Sequence, residues 1–168
     1  MAPSTPDPVN GPDLTCDEVW DALDHASFAV LSHVTASGEP RSSGVVYATD
    51  ARRLYVAVAP NGWKARQILD GSLVSLTVTV RRGGILSLLF PIPPATITFR
   101  AHARVRPVRD LDRGAMPSRL AGLVPADRRE HAILLELVPA GRFVTYGLGV
   151  SLQRMRDPAA AGALVPVA

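Results

Sequence analysis

A mainly β (α+β) fold, an antiparallel barrel of six to seven strands with short helices, is what this sequence predicts, on three observations. Short runs rich in Val, Leu, Ile and Thr recur along the chain, bounded by Gly, Pro, Asn or Asp. The longest of them alternates polar and apolar residues, the pattern of a strand with one face in a core. Helical periodicity is confined to short stretches, so strands must bury strands, and closing the sheet removes exposed edges.

The elements follow in order. Residues 1–13 read as a flexible lead-in. Thr15 with Glu18 three residues later is a capping box, opening a helix to about His25 with Leu14, Val19, Trp20 and Leu23 as its apolar positions. Phe28–Val34 is a strand, Ala36–Pro40 a turn and Arg41–Ala48 a second strand. Asp50–Arg53 turns the chain into a third strand, Leu54–Ala59. A short helix carrying Lys64 ends near Asp70-Gly71, and Leu73–Val80 is a fourth strand. Ala95–Val105 sets Thr96, Thr98, Arg100, His102 and Arg104 against Ile97, Phe99, Ala101, Ala103 and Val105. A helical region falls within Leu111–Glu130, broken by Pro117 and Pro125. His131–Val138 and Arg142–Tyr146 are the last strands. Residues 14–157 form the domain, and the Ala-, Gly- and Pro-rich stretch 158–168 reads as a loosely held tail.

Composition narrows the function. A chain of 168 residues with 47% apolar and 20% charged residues is one folded domain with a substantial core. The net charge is only +3, and Arg52-Arg53, Arg81-Arg82 and Arg128-Arg129 are scattered doublets. With aromatics at 5%, neither a basic stripe nor a stacking platform for nucleic acid is present. Cys16 is the single cysteine, which excludes an intrachain disulfide and a cysteine-based metal site. His25, His33, His102 and His131 lack metal-ligand spacing. Met1–Pro12 carries four prolines and no apolar core of a signal peptide, and Gly83–Phe99 is interrupted by Pro91, Pro93 and Pro94. A cytoplasmic protein without nucleic-acid or membrane partners is the expectation.

Lys64 is the only lysine; all other basic side chains of Arg or Lys type are arginine. It lies in Pro60-Asn61-Gly62-Trp63-Lys64-Ala65-Arg66-Gln67-Ile68, where Asn61 is an N-cap candidate and Ala65, Ile68 and Leu69 form an apolar stripe. A compact cation in the first turn of a helix suits an anion or phosphate. The alternative is a solvated surface lysine that happens to be unique.

From about Val19 to Val105 the chain resembles the FMN-binding split-barrel superfamily, the pyridoxamine 5′-phosphate oxidase-like proteins. The resemblance is carried by Phe28-Ala29-Val30-Leu31-Ser32, Gly38-Glu39-Pro40-Arg41-Ser42-Ser43, Leu54-Tyr55-Val56 and Gly62-Trp63-Lys64-Ala65-Arg66-Gln67-Ile68, followed by Val74-Ser75-Leu76-Thr77-Val78. It implies a split β-barrel and a homodimer with the cofactor in the interface groove. It also implies that Lys64 contacts the cofactor phosphate, that Trp63 lines the same loop, and that either Arg41 or Ser42 approaches the phosphate from the second strand. Ser43 and Gly44 follow on that strand, Gly44 leaving room for a flat ring against the backbone, and Gln67 reaches the cofactor or caps local structure. Arg41 read alone is a strand-edge charge, Trp63 a packing residue and Tyr47 a cross-strand contact.

The resemblance stops short of the C-terminus. The family's oxidases proper end in a Trp- and Arg-rich signature that Arg142–Val150 does not match, so activity on pyridoxamine phosphate is not implied. The apolar loop Gly83–Pro94 reads as a dimer seal or the roof of a substrate pocket. The expected activity is an FMN-dependent oxidoreductase acting on a small organic substrate. Coenzyme F420 is the alternative cofactor, in keeping with a composition typical of GC-rich genomes. A non-catalytic flavin or haem carrier, with His33 or His102 as haem ligand, is the other class. No residue stands out as a catalytic acid or base, which hydride transfer tolerates because orientation dominates.

Overall fold

Thr15 starts the first helix as its spacing predicts. Its hydroxyl accepts from the Glu18 backbone N–H at 3.2 Å, and the Glu18 carboxylate accepts from the Thr15 N–H at 2.8 Å. The helix α1, Cys16–His25, buries Val19, Trp20 and Leu23 on one stripe. The computed structural model describes residues 11–59, 62, 64, 67, 68, 71–82, 92–108 and 118–168, the side chains of 126, 128 and 130 excepted.

Seven strands follow: β1 Phe28–Val34, β2 Pro40–Asp50, β3 Arg53–Val58, β4 Leu73–Val80, β5 Ala95–Pro107, β6 Ile133–Tyr146 and β7 Gly162–Pro166. All pairings are antiparallel, in the order β3-β2-β1-β4-β5-β6-β7, and a further β3–β6 pairing closes the first six into a barrel. The long strand β6 makes this possible. One of its edges follows β5 throughout, while the other pairs with β3 over Ile133–Leu137 and with β7 over Arg142–Tyr146.

Sequence periodicity had divided β6 into two strands at Pro139-Ala140-Gly141. The chain instead crosses that point through a bulge: Thr98 pairs with Val144 but Arg100 with Ala140, leaving β6 with two extra residues between these pairs. Gly141 takes φ +81°, which a residue with a Cβ adopts only at a cost, so the apparent strand break is a bend. The other correction is the tail. Residues 158–168 were expected to be loosely held, yet Asp157 caps the Ala159 N–H at 3.0 Å and Gly162–Pro166 pairs with β6. The edge of β6 recruits this strand, and Val165, flanked by Ala163 and Val167, packs from it into the core.

Alternation sets the core. Ala29, Leu31 and His33 on β1, Val45, Tyr47 and Thr49 on β2, and Val74, Leu76 and Val78 on β4 all point inward and are buried. Helix α1 adds its stripe, with Trp20 edge-on to Phe143 at 5.8 Å and Phe143 edge-on to Phe99 at 5.2 Å. Each fully buried aliphatic side chain contributes about 1.5–3 kcal/mol relative to exposure. Tyr47 completes the joint by donating its hydroxyl to the Leu23 carbonyl at 2.8 Å. Burial, then the nearby Asp24 charge, drives that phenol far above its ordinary pKa, so it remains a donor at any working pH.

The predicted helical region survives as a short helix at Ser118–Ala121 and a 3₁₀ turn at Ala126–His131. The stretch 83–91 of the apolar loop lies outside the described residues, as do Asn61, Trp63 and most of the helix proposed around Lys64. Among the described residues no helix is long and apolar enough to cross a membrane.

Candidate functional site

Strand β2 sorts the expected site residues by face. Arg41, Ser43, Val45 and Tyr47 point toward the barrel interior, while Ser42, Gly44 and Val46 lie on the outer surface. The hairpin register fixes this, because Ser42 pairs with Ser32 and Gly44 with Val30. The two serine hydroxyls stand 2.7 Å apart on the outer face. Arg41 turns away from them and pairs with Glu39 at 3.1 Å. The sequence left Arg41 and Ser42 open; the fold puts Ser42 on the same face as Gly44, and Arg41 in a local ion pair.

Lys64 meets this strand directly. Its Nζ donates to the Gly44 carbonyl at 3.2 Å. The Ile68 N–H donates to the Lys64 carbonyl at 2.9 Å, the bond that closes a helical turn. Strand β3 pairs with β2 only from Asp50 back to Tyr47, so the stretch of β2 containing Gly44 lies beyond that ladder. The sole lysine therefore bridges a helical turn and a strand carbonyl, bringing one positive charge to β2 two residues from Ser42.

Gly44 does accept a flat ring, but the ring is the protein's own. A Cβ at Gly44 would lie 3.0 Å from two ring carbons of Phe28, whose side chain is 47% exposed. Phe28 was read only as the start of a strand. Its place opposite Val46 in the β1–β2 register, next to the Gly44 pair, was the available signal. With Val46, 61% exposed, it gives the outer face an apolar border beside the polar Ser32 and Ser42.

Two further predicted residues carry buried polar atoms with no hydrogen-bond partner, Ser43 Oγ and Gln67 Oε1. Each such atom costs roughly 1–3 kcal/mol unless water or a ligand group satisfies it. Ser43 faces inward from β2 and Gln67 sits beside buried Ile68, so both lie on the elements that carry Gly44 and Lys64. Trp63, the remaining predicted residue, lies outside the described residues. Among the described residues no three His, Cys, Asp or Glu side chains come together as a metal site.

One ammonium group at the Gly44 carbonyl and two hydroxyls in mutual contact on the outer face are groups that a phosphate could accept hydrogen bonds from. An aromatic ring system would find Phe28 and Val46 beside it.

Neither a protein-family model nor a curated protein sequence matches the chain. Solved structures do. An F420 reductase superposes with a TM-score of 0.52 at 19% identity, over 73% of this chain and 93% of that one. HutZ, the haem storage protein from Vibrio cholerae, gives 0.59 at 17% identity over 81% and 98%. A FAD-binding protein from Mesorhizobium loti gives 0.57 at 17% identity over 76% and 91%. The chain shares with these proteins its fold, a six-stranded antiparallel split barrel with one added strand.

Proposed function

We propose that this split barrel is an FMN-dependent oxidoreductase that acts on a small organic substrate. The proposal includes a homodimer with the cofactor held at the subunit interface. The observation that carries the reading is Lys64: the sole lysine of the chain donates to the Gly44 carbonyl of β2, the strand whose Ser42 hydroxyl meets that of Ser32. Structural neighbours named as an F420 reductase and a FAD-binding protein support a flavin-type group on this architecture.

In this reading Lys64 neutralises the phosphate and the Ser42 hydroxyl, oriented by Ser32, hydrogen-bonds to it. Gly44 makes room on β2 for the Phe28 ring, and Phe28 and Val46 exclude water from the apolar part of the face. The bound flavin supplies hydride or electron transfer, and the protein's share is binding, orientation and a dry surface. The exposed apolar side chains of this surface, Phe28, Val46, Val144, Tyr146 and Leu164, are what a second subunit would cover.

Coenzyme F420 is the alternative cofactor, since it also presents a phosphate beyond its chain. A haem carrier would have to use His102, exposed on β5, because His33 is only 6% exposed on the inner face of β1. The deciding experiment loads the full chain with FMN and, separately, with F420. Reduction by NAD(P)H or a reductase and reoxidation by organic acceptors are then followed by absorbance. Turnover with FMN supports the proposal, turnover with F420 alone moves it to the alternative, and a cofactor that binds but never cycles reduces the protein to a carrier.

A further inference from the structure

The β6 bulge gathers two arginines at a second cavity on the outer face of the sheet. Ser42, Ser32, Ser75 and Arg100 form one row across β2, β1, β4 and β5, each paired with the next in register. At three strand spacings of about 4.8 Å, Arg100 stands roughly 14 Å from the Ser42 end. There a cavity of about 480 Å³ is lined by Ser75, Thr98, Arg100, Gly141, Arg142 and Val144. Its size falls within the range of small-molecule sites.

Charge makes the cavity unusual. Arg100 and Arg142 are both exposed, and neither pairs with any carboxylate among the described residues. Among the other strand arginines, Arg41 pairs with Glu39 and Arg53 and Arg106 share Glu136, while Arg104 also has no carboxylate partner among the described residues. In an unbroken ladder the Thr98–Val144 register would set Arg142 directly opposite Arg100, a like-charge pair that destabilises a sheet. The bulge puts Ala140 there and moves Arg142 along, so both guanidinium groups border one cavity. Gly141 allows it twice over, by its positive φ and because Arg100 Nη2 lies 3.4 Å from where a Cβ would stand.

We propose that Arg100 and Arg142 form an oxyanion site, with the Ser75 and Thr98 hydroxyls as neighbours, taking a phosphate or carboxylate group of a small ligand. Two planar guanidinium forks match either group bidentately, and a bound anion relieves their mutual repulsion. The site is separate from the one at Lys64 and does not depend on the cofactor reading.

The test is calorimetric titration of the full chain with inorganic pyrophosphate and with citrate. The wild type is compared with Lys64→Ala, Arg100→Gln, Arg142→Gln and Arg142→Lys. Both arginines are surface residues, so the fold should persist, and either single Gln variant suffices if the other misfolds. Binding at the arginines is expected to persist in Lys64→Ala, in which the other candidate phosphate site is removed, with each Gln variant binding at least tenfold more weakly and Arg142→Lys in between. Preference for pyrophosphate identifies a phosphate ligand, and preference for citrate a carboxylate. Absence of binding to both probes, equal binding by the Gln variants, or loss only in Lys64→Ala overturns the proposal. So does a Gln variant that changes the oligomeric state in light scattering while keeping its anion affinity, since the arginines would then serve a second copy.

Discussion

Glu136 offers a prediction whose sign runs against intuition. Its side chain is 3% exposed, and it is clasped by Arg53 and by Arg106, whose Nε donates at 2.9 Å. Both arginines remain 45% exposed. Replacing both by methionine leaves a buried carboxylate without its cations, a defect worth about 3–5 kcal/mol when the partners are fully buried. Solvent screening of half-exposed partners lowers this to roughly 2–3 kcal/mol. Glu136→Leu instead leaves two guanidinium groups that water can solvate and fills the site with an apolar side chain, at a cost within about 1 kcal/mol. For a chain of this length each kcal/mol moves Tm by roughly 2–4 °C, so the double variant should melt about 4–12 °C lower. The pH dependence follows from the direction of the Glu136 shift. Burial pushes the carboxyl up, but hydrogen bonds and charge from Arg106 and Arg53 outweigh it and hold the group below 4.5. A depressed carboxylate contributes fully above its unfolded pKa of about 4.3, and that contribution fades as pH falls through the folded value. Thermal melts at pH 7 should therefore separate the double arginine variant from wild type, and the gap should narrow as the pH is lowered below the unfolded carboxylate range. If Glu136→Leu destabilises more than the double arginine variant at pH 7, the reasoning is wrong.

Three further outcomes are expected. Tyr47→Phe removes the bond to the Leu23 carbonyl without changing the packing, and urea denaturation should register a loss of about 1 kcal/mol. Gly141→Ala should destabilise by about 1 kcal/mol or more, whereas a Gly-to-Ala exchange at a compatible position stabilises by about 0.4–1 kcal/mol, because φ is +81°; equal stability in the same assay would contradict the bulge geometry. Gly44→Val should leave Tm within about 2 °C of wild type, since the exposed Phe28 ring can swing aside, yet weaken FMN binding severalfold by covering β2.

Much of the fold was legible because local chemistry and tertiary structure agree. Thr15 and Glu18 announce a helix start, and the alternation of β5 announces a strand with one core face. Both errors arose where the backbone outweighed composition. Pro139-Ala140-Gly141 looks like a terminator, but a glycine at positive φ turns it into a bulge. The Ala-, Gly- and Pro-rich tail looks unstructured, but the unpaired edge of β6 orders Gly162–Pro166 through main-chain hydrogen bonds while Val165 packs into the core. The candidate site shows in the sequence only as Lys64, whose isolation among arginines is a sequence fact. Choosing between Arg41 and Ser42 required the hairpin register, since one residue of slip exchanges the faces. Phe28 and the Arg100–Arg142 cavity depend on pairs far apart in sequence, which periodicity within one strand does not reveal.

The central claim is that Lys64 holds a cofactor phosphate on the outer face of β2. It is tested most directly by titrating wild type and Lys64→Ala with FMN and with riboflavin, which lacks the phosphate. The account predicts that Lys64→Ala weakens FMN at least tenfold, about 1.4 kcal/mol, and leaves riboflavin unchanged. Equal losses for both ligands, or none for either, would mean that Lys64 only fastens its helical turn to the Gly44 carbonyl, and the phosphate site would have to lie elsewhere.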